Sequence, residues 1–332
     1  MEKVKIGVVG LGKLGRLHTA LLKEISKIDF VGLYDTRLPR MKEVSGEFEV
    51  QAFPSLEALL DAVDALVIAV PTQVHAEVAL PALHARKHIF IEKPITATLE
   101  EADSLLRAAQ ENAVKIQVGH IERFNPAFLA LQDETLMPMF IETHRLASFD
   151  PRGTDVAVVL DLMIHDIDLI LSLVKSPIEM IDATGVAVAS READIANARI
   201  RFKNGCVANL TASRISLKKM RKMRIFQKDA YLTLDFLQKQ AEIYRLKDVV
   251  PSEKPEHLAF NLIGQRGFAK KILYEKRTQE NLNALKEELS AFVTSILEDS
   301  TPLVTGDDGR KALDVALQIM RQVHEHAKLY QM

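Results

Sequence analysis

The sequence predicts an α/β protein with two domains: a doubly wound parallel sheet in residues 1–120 and an α+β domain with an open, largely antiparallel sheet in residues 121–332. Short apolar runs alternate with helical patterns in the first part, as in the β-α-β crossovers of a parallel sheet covered on both faces. After about Phe124, strand-like runs follow one another directly, which is typical of antiparallel pairing.

The first domain contains five predicted strands, each a short apolar run: Val4–Val9, Phe30–Tyr34, Ala65–Val70, His88–Ile91 and Lys115–Val118. Helical periodicity fills the intervals between them, at Leu14–Ile25, Arg40–Phe48, Leu56–Ala62, Val74–Ala85 and Leu99–Ala113. Strands connected through helices run parallel, because the crossover returns the chain to the same edge of the sheet.

The second domain begins with a short helix after Asn125 and a strand at Phe140–Arg145, followed by a long apolar helix. Six further strands are predicted, at Ile178–Gly185, Asn197–Phe202, Val207–Ser213, Met223–Phe226, Tyr231–Phe236 and Glu242–Arg245. The stretch "NLIGQRGF" (261–268) reads as a loop, and two helices, Leu282–Glu298 and Arg310–Tyr330, follow it.

The composition is that of a globular protein. The 332 residues suffice for two domains with separate cores, and 48% of them are hydrophobic and 27% charged. With 43 basic and 45 acidic residues, the net charge of −2 gives no electrostatic basis for binding nucleic acid or an acidic membrane.

Cysteine and histidine usage narrows the classes further. The single cysteine, Cys206, excludes an internal disulfide and a multi-cysteine metal site, and it favours a reducing compartment. We expect no metal site, because His324 and His326 are two residues apart and a helix would separate them. The N-terminal "MEKVKIGVVGLG" is a strand entering a glycine turn, without a signal-peptide pattern, so we expect a cytoplasmic protein.

The strongest local motif is "VVGLGKLG", which places Gly10, Gly12 and Gly15 in the G-x-G-x-x-G spacing. The bare spacing is a weak signal, because glycine triplets also occur by chance. Here it follows a strand, opens a helix and precedes an acid, Asp35, that lies 20 residues beyond the last glycine. This is the fingerprint of a dinucleotide-binding Rossmann domain, with the pyrophosphate at the helix N-terminus.

The cofactor that this motif predicts is NAD. Asp35 would accept hydrogen bonds from the adenosine ribose hydroxyls and repel a 2′-phosphate. Arg37 is able to hold such a phosphate, so strict selection against NADP stays open. Lys13 and Leu14, inside the turn, are expected to contact the cofactor as well.

A second unusual segment is the apolar run Val156–Val174, which at 19 residues is long enough to span a bilayer. Four ionisable side chains near its centre argue against lipid and for a buried helix. At about 100° per residue, Asp161, His165 and Asp168 share one stripe while Asp166 points away. Two interpretations remain: a hydrogen-bonded structural network, which is the usual fate of buried polar groups, or a catalytic wall.

Further motifs follow the predicted strands of the first domain. "VPTQVH" contains Pro71, Thr72 and His75, and "IEKPI" contains Glu92, Lys93 and Pro94. Together with "DLMIHDIDL" (161–169), and in this order along essentially the whole chain, they resemble the Gfo/Idh/MocA family of sugar and cyclitol oxidoreductases. One departure is Met163, which stands where many relatives have glycine.

The resemblance implies roles for these positions. Lys93 and His165 would be the catalytic pair, with Asp161 beside them. Pro71, Thr72, His75, Glu92 and Pro94 match positions that border the cofactor. These roles fit the chemistry of alcohol oxidation, which needs a base for the hydroxyl proton and a cation near the developing alkoxide. His165 titrates near neutral pH and Asp161 is able to orient it, although which of Lys93 and His165 takes the proton stays open.

A closer similarity lies in "VGHIERFNPA" (118–127) and "DLMIHDIDLILSLV" (161–174), which resemble the UDP-N-acetylglucosamine 3-dehydrogenases. That similarity implies oxidation of the sugar at C3 to a 3-keto nucleotide sugar, which an aminotransferase partner then aminates. The departure at Met163 suggests a site of different shape from that of distant relatives.

Candidate substrate contacts come from three segments. His120, Arg123 and Asn125 lie at the domain junction and either touch substrate or cap the next helix. The run "RISLKKMRKMR" (214–224) has six basic residues and no acid, and is either an exposed strand edge or a diphosphate site containing Arg221 and Arg224. In "NLIGQRGF", Arg266 is a further candidate, or simply a turn arginine.

Two alternatives to a nucleotide-sugar dehydrogenase remain. A free-sugar or inositol dehydrogenase of the same family would make the basic run incidental. A non-catalytic NAD-binding sensor is a third hypothesis, because dinucleotide folds also serve that purpose. In each case we expect a small-molecule ligand and a homodimer or homotetramer assembled through the C-terminal sheet.

Overall fold

The computed structural model describes residues 3–150, 156–248, 259–263, 269–279 and 282–328. Its contacts divide the chain into two compact units. The first unit comprises Met1–Phe124 and Asn283–Asp314, and the second comprises Asn125–Leu282 and Val315–Met332.

The first unit contains a five-stranded parallel sheet in the order β2-β1-β3-β4-β5. The strands are β1 (Val4–Val9), β2 (Ile28–Tyr34), β3 (Ala65–Ile68), β4 (His88–Glu92) and β5 (Ile116–Gly119). Because β2 and β3 lie on opposite sides of β1, the connections leaving β1 and β2 run in opposite directions. A crevice therefore forms at the carboxyl ends of these strands.

Five helices connect these strands: α1 (Lys13–Leu22), α2 (Leu38–Phe48), α3 (Leu56–Ala62), α4 (His75–His84) and α5 (Leu99–Asn112). Short 3₁₀ turns cover Thr72–Val74 and Ile121–Phe124. Local chemistry fixes several helix starts, as in α5, where Thr98 and Glu101 form a capping box.

A later segment completes the first core. Whereas the sequence pattern assigned all residues after 120 to the second domain, α8 (Ala284–Leu297) belongs to the first unit. Its buried Leu289, Phe292 and Val293 join the core cluster that contains Ile6 of β1 and Phe90 of β4. Apolar burial of this extent is the main favourable contribution to folding, so the returning helix is part of this unit's stability.

The second unit contains a nine-stranded sheet in the order β13-β14-β12-β11-β10-β6-β9-β8-β7. The strands are β6 (Phe140–Leu146), β7 (Ile178–Val186), β8 (Ile195–Phe202), β9 (Val207–Ser213), β10 (Met220–Gln227), β11 (Ala230–Asp235), β12 (Gln240–Asp248), β13 (Ala259–Ile263) and β14 (Ala269–Thr278). Among the neighbouring pairs in the described residues, β6 and β9 run parallel and the others run antiparallel. The predicted open, largely antiparallel sheet is thus confirmed.

One face of this sheet carries the buried side chains of alternate positions, among them Ile141, Leu210 and Ile225, which are all 0% exposed. α6 (Pro126–Leu129) and α7 (Ile164–Leu173) belong to the same unit, which the last part of α9 (Gly306–Lys328) completes. A π-helical turn, Val159–Met163, leads into α7.

Two segments differ from the sequence prediction. Residues 261–263, expected in a loop, belong to β13, and β14 was not predicted. Both strands alternate only weakly between polar and apolar residues, so their pairing with neighbouring strands decides their structure. The long apolar segment is not one regular helix, since its first turn is π-helical. None of the helices in the described ranges is long and apolar enough to cross a membrane.

Candidate functional site

A cleft of about 720 Å³ lies in the first unit at the carboxyl ends of β1, β2 and β3. We call it the strand-end cleft. Its walls are formed by Val9, Gly10, Leu11, Gly12, Lys13, Leu14, Tyr34, Asp35, Thr36, Arg37, Ala69, Val70, Pro71, Val74, Glu77 and Val78. The volume falls in the range of small-molecule sites.

The glycine turn shapes the floor of this cleft. Gly10 has φ +86°, and a Cβ there would lie 2.7 Å from the backbone of Ala69. A Cβ on Gly15 would lie 1.8 Å from the Gly10 carbonyl oxygen, so α1 can approach β1 only with glycine at this position. A Cβ on Gly12 meets nothing within 4 Å, which leaves space for a ligand over the turn.

The N-terminus of α1 suits an anion. Gly12 provides no side-chain cap, and the first turn of the helix contains no acidic residue. The first backbone N–H groups and the helix dipole therefore favour a phosphate group over the turn. The open space over Gly12, which a side chain there would fill, and the uncapped N-terminus of α1 together fit a dinucleotide pyrophosphate.

Asp35 occupies the far side of the cleft and is only 6% exposed. Its Oδ2 accepts from the Leu11 N–H at 2.7 Å, and Arg37 donates its backbone N–H to Oδ1 at 2.8 Å. Burial acts to raise the pKa of Asp35, but the hydrogen bonds from Arg37 and Leu11 outweigh it and lower the pKa. The carboxylate is thus held ionised, as an acceptor of ribose hydroxyls must be.

Arg37 also donates from its side chain to Asp35, at 3.2 and 3.3 Å. Because its side chain is 65% exposed, the guanidinium is able to turn away towards solvent or a ligand. The pairing explains why Arg37 next to Asp35 does not by itself indicate NADP. In this structure Arg37 is bonded to Asp35 and is not held in place for a 2′-phosphate.

Most predicted cofactor contacts lie together on the walls of the cleft: Gly10, Gly12, Lys13, Leu14, Asp35, Arg37 and Pro71. Gly15 packs beneath the turn, and Thr72 begins the 3₁₀ turn after β3. Sequence reasoning missed Tyr34, Val74 and Glu77, which also line the cleft. The available signal was their place at the end of β2, in the 3₁₀ turn after β3 and in the first turn of α4.

Lys93 is the residue immediately after β4 and is half-buried. β4 pairs with β3, which is one of the strands that end at the cleft. Lys93 therefore lies at the same edge of the sheet, about 4.8 Å (one strand spacing) from the end of β3. The peptide bond between Lys93 and Pro94 is cis. The carboxyl edge of a parallel sheet is where ligands of such folds bind.

Glu92 and His75, predicted to border the cofactor, make well-defined contacts inside the unit. Glu92 Oε1 lies 2.7 Å from Nε2 of His18 on α1, and both residues are buried. His75 is 1% exposed and its ring faces backbone carbonyl oxygens on both sides. Sequence reasoning did not single out His18, because nothing local to α1 indicates its partner 74 residues away.

In the second unit, Asp161 belongs to the π-helical turn and His165 to the first turn of α7. Both are half-buried, whereas Asp168 is 1% exposed. π-helical turns inside helices occur frequently at functional sites. The turn therefore marks the same segment that the polar stripe indicated.

Asp166, expected to point away from the stripe, is 2% exposed and faces β6. There Arg145 Nε and Nη2 donate to its two carboxylate oxygens at 3.0 and 2.8 Å. This bidentate, buried pair attaches the start of α7 to the sheet. Sequence reasoning missed Arg145, because a lone arginine in a strand does not reveal its partner.

The basic run 214–224 does not form one surface. Arg221 and Lys219 line a cleft of about 460 Å³, the second-unit cleft, whose other residues are Leu146, Ala147, Ser148, Phe149, Asp150 and Leu237. Arg224 lies three positions further along β10 and therefore on the opposite face, where it donates to Glu142 at 2.8 Å. The prediction that Arg221 and Arg224 bind one diphosphate together is not supported, because strand alternation separates them.

Other members of the run are engaged elsewhere. Lys222 pairs with Asp235 at 3.2 Å, and Arg214 is buried 3.3 Å from Asp194. Asp194 also accepts from the N–H groups of residues 188–190, which together with Ser190 outweigh burial and lower its pKa to about 2. Part of the positive charge thus has a structural role.

The junction residues have distinct environments. His120 is 1% exposed directly after β5, and Arg123 lies in the 3₁₀ turn that follows. Asn125 caps α6 by accepting from the Ala127 N–H at 3.1 Å, as the helix-cap alternative expected. Arg266 lies outside the described residues. In the described part of the chain, no group of three or more His, Cys, Asp or Glu side chains is arranged to hold a metal ion.

Comparison with known proteins agrees with this geometry. Residues 4–120 match the model of the oxidoreductase family with an NAD-binding Rossmann fold, and residues 140–233 match the GFO/IDH/MocA C-terminal domain. The chain is similar to UDP-N-acetylglucosamine 3-dehydrogenase from Acidithiobacillus ferrooxidans, with 39% identity over 96% of this chain and 97% of that protein.

Solved structures give the same result. A structure of that Acidithiobacillus ferrooxidans enzyme has a TM-score of 0.87 and 37% identity, covering 98% of this chain and 99% of the other. Scyllo-inositol dehydrogenase from Lactobacillus casei, solved with NAD(H) and scyllo-inositol, shares the fold at 22% identity, with a TM-score of 0.76 and 98% of each chain covered. The strand-end cleft, the Lys93 segment and the α7 motif thus belong to an NAD-dependent oxidoreductase of the Gfo/Idh/MocA family.

Proposed function

We propose that this protein oxidises C3 of the sugar ring in UDP-N-acetylglucosamine, with NAD as the oxidant, and releases a 3-keto nucleotide sugar. The observation that carries the proposal is the 39% identity to the Acidithiobacillus ferrooxidans enzyme of that activity along 96% of the chain. The similarity extends over both units and is therefore stronger support for a shared substrate than a match to the nucleotide-binding domain alone.

In this proposal the first unit binds the cofactor and supplies a cation. The glycine turn and the N-terminus of α1 hold the pyrophosphate, and Asp35 accepts the ribose hydroxyls. NAD, when bound, accepts a hydride from the sugar carbon. Lys93 donates a hydrogen bond to the reacting oxygen and stabilises its developing negative charge.

The second unit supplies the group that moves the proton. A ring nitrogen of His165, Nε2 or Nδ1, takes the proton of the reacting hydroxyl while the C–H bond of the carbon that carries this hydroxyl breaks. The alcohol thus loses a hydride and a proton in total. Asp161, in the preceding turn, orients the imidazole and stabilises its protonated form. Either Lys93 or His165 is able to be the formal proton acceptor.

A cation pair in the second-unit cleft supports a diphosphate-bearing substrate. Arg221 and Lys219 line it, and Arg221 is the register partner of Arg145 on β6. Arg145 binds Asp166, the neighbour of His165, so Arg221 lies one strand spacing, about 4.8 Å, from the strand that anchors α7. Charge-assisted bonds from guanidinium to phosphate are among the stronger polar contacts, so this cleft suits the diphosphate of a nucleotide sugar.

The substrate test is a thermal-shift screen with NAD present, comparing UDP-N-acetylglucosamine with free N-acetylglucosamine, inositols and glucose 6-phosphate. A ligand that binds the folded state raises the unfolding temperature, so the nucleotide sugar should give the largest shift. Absorbance of the reduced cofactor then reports turnover, and mass spectrometry locates the keto group.

Equal shifts and turnover with an inositol would favour the free-sugar or inositol dehydrogenase. NAD binding without reduction by any of these compounds would favour the sensor. Conversion of the product to an amino sugar by an added aminotransferase and glutamate would support the proposed reaction partner.

Self-association through the sheet remains part of the proposal. On the face opposite α7, Phe140, Phe226, Tyr231, Tyr244 and Tyr274 form a continuous ladder of ring contacts across five strands. Phe226 is 37% exposed. Exposed aromatic surface on a sheet favours pairing with another surface, here a second copy of this chain. Light scattering should report a dimer or tetramer that Phe226→Lys disrupts.

A cytoplasmic location remains a proposal as well. It rests on the single cysteine, Cys206, which is buried and whose thiol has its pKa raised to about 11 by burial. A buried, protonated thiol takes no part in disulfide formation, so the fold is compatible with a reducing compartment.

A further inference from the structure

The segment that contains Lys93 is held on both sides by a buried histidine from another helix. Glu92, the residue before Lys93, contacts His18 of α1. Pro94 and Ile95, the residues after it, contact His75 at the start of α4. All of these contacts lie within the first unit.

On the first side, His18 is 0% exposed and meets two residues on one face of β4. Its Nε2 lies 2.7 Å from Glu92 Oε1, and its ring packs edge-on against Phe90 with centroids 5.3 Å apart. Within the described residues, Nδ1 of His18 is buried and has no hydrogen-bond partner. The tautomer with hydrogen on Nε2 avoids burying an unpaired N–H, so His18 donates to the Glu92 carboxylate.

Glu92 fits its position closely. It is 8% exposed, and a Cβ on the neighbouring Gly119 of β5 would come within 3.1 Å of Glu92 Oε2. The carboxylate is therefore confined between α1 and β5. A side chain confined in this way fixes the end of β4, from which Lys93 continues.

On the other side, His75 Nδ1 lies 3.0 Å from the Pro94 carbonyl oxygen and 3.2 Å from that of Ile95. Its Nε2 lies 3.0 Å from the carbonyl oxygen of Val70, which lines the strand-end cleft. A neutral imidazole has one N–H, and in the tautomer with hydrogen on Nδ1 the ring donates to the segment after Lys93 while its Nε2 lies against the wall of the cleft. Neither histidine belongs to the walls of that cleft.

We propose that His18 and His75 are positioning residues that hold Lys93 at its working place beside the cofactor, through Glu92 on one side and through Pro94 and Ile95 on the other. The proposal rests on the catalytic role given to Lys93 above. A displacement of about 1 Å is able to cost about 10²-fold in rate, so catalysis needs the ammonium group held firmly.

The test replaces each of the two histidines by glutamine and, separately, by asparagine. Glutamine carries its N–H₂ group near the place of histidine Nε2, and asparagine carries it near the place of Nδ1. His18→Gln and His75→Asn therefore keep the contacts to the Lys93 segment. His18→Asn and His75→Gln, made of the same amides, lose them. His84→Gln, at the exposed end of α4, is the matched control.

The first readout needs no substrate. The rate at which an amine-reactive acetylating reagent labels Lys93 is measured by peptide mass spectrometry, with exposed Lys42 as the internal standard. His18→Asn and His75→Gln should raise the Lys93 rate by about threefold or more, because the segment opens more readily. His18→Gln, His75→Asn and His84→Gln should match the wild type.

The second readout is turnover of the nucleotide sugar. The two variants that lose the contacts should lower kcat by about tenfold or more, with the Kd for NAD within about threefold, and the other variants should keep kcat. Thermal unfolding verifies that all variants fold. If all four amide variants label Lys93 at the wild-type rate, or if His18→Gln and His18→Asn behave alike, the positioning roles are wrong. If the wild type does not oxidise the nucleotide sugar, the proposed function fails, while the labelling result still decides the positioning roles.

Discussion

Each unit anchors a buried carboxylate next to a proposed catalytic residue, but with different partners. In the first unit, Glu92 precedes Lys93 and contacts an imidazole through one oxygen at 2.7 Å. In the second unit, Asp166 follows His165, and both its oxygens accept from Arg145, at 3.0 and 2.8 Å. The same task is thus performed by a group that can be neutral and by one that is always charged.

The difference follows from what each pair must hold. A guanidinium forms two parallel bonds in a fixed plane, so it sets the rotation of a whole helix on a sheet. The imidazole of His18 donates a single bond from Nε2, which suits a strand end that the sheet already holds in place. The second unit should therefore depend much more on its pair than the first unit does on its own.

The largest expected effect comes from breaking the guanidinium pair. Arg145→Met should lower the free energy of unfolding by about 3–5 kcal/mol, because it leaves the Asp166 carboxylate buried without its counter-charge. His18→Leu should cost less, about 1–3 kcal/mol, the usual penalty of an unsatisfied buried polar group. Urea denaturation measures both. The double variant Arg145→Met/Asp166→Leu should recover most of the loss, and a double variant as unstable as the single one would contradict this account.

Next in size is the loss of the catalytic side chains, one from each unit. Lys93→Ala and His165→Ala should each lower kcat by at least about 10²-fold, because their contributions arise in the transition state. The Kd for NAD, measured by calorimetry, should change little in both. Near-full activity in either variant would remove that residue from the mechanism.

The strand-end cleft is tested through its acid. The unmodified protein should bind NAD more tightly than NADP, and Asp35→Ala should narrow the difference by about tenfold, the worth of a charge-assisted hydrogen bond. Arg37→Ala is the partner variant, since it removes the cation that pairs with Asp35. Tighter binding of NADP by the wild type in calorimetry would overturn the assignment of the cofactor.

The second-unit cleft is tested by two arginines on opposite faces of β10. Arg221→Ala should raise KM for the nucleotide sugar by about tenfold with little change in kcat, the signature of lost uniform binding. Arg224→Ala, on the face where Glu142 binds it, should leave KM unchanged. Higher ionic strength should raise KM in the same direction as the first variant. Equal effects of the two variants would mean that the diphosphate does not occupy this cleft.

The smallest expected effect is a pH dependence of stability that arises from His75 in the first unit. Burial lowers the pKa of His75, although hydrogen bonds to the carbonyls of Ile95, Val70 and Pro94 act in the other direction. The folded protein therefore binds fewer protons here than the unfolded chain. The stability from the neutral ring is complete above the ordinary histidine pKa of about 6.5 and is lost as the pH falls through the lower, folded-state pKa.

His75→Asn should remove this contribution. Between about pH 7 and about pH 8, the difference in melting temperature between wild type and variant should stay constant. Below about pH 6.5, the melting temperature of the wild type should fall more steeply than that of the variant. A constant difference across the whole range would show that His75 does not titrate as expected.

The dinucleotide site could be predicted from the amino-acid sequence alone, because its requirements are local. A left-handed residue such as Gly10, a close approach such as that of Gly15, and an acid at a strand end such as Asp35 are written within one β-α-β unit. The alternation of strands and helices likewise determined the parallel sheet. The polar stripe on the α7 segment was visible for the same reason, since helical periodicity needs only neighbouring residues.

Which side chains meet across the chain could be seen only in the folded protein. His18 and Glu92 are 74 residues apart, and Arg145 and Asp166 join a strand to a helix, so no local pattern specifies either pair. The basic run is one patch in the sequence, but the strand β10 divides it between two faces, and its partners Glu142 and Asp235 come from β6 and β11. Local backbone preferences act over a few residues, whereas side-chain pairing depends on which elements pack together, and that is settled by burial of the whole core.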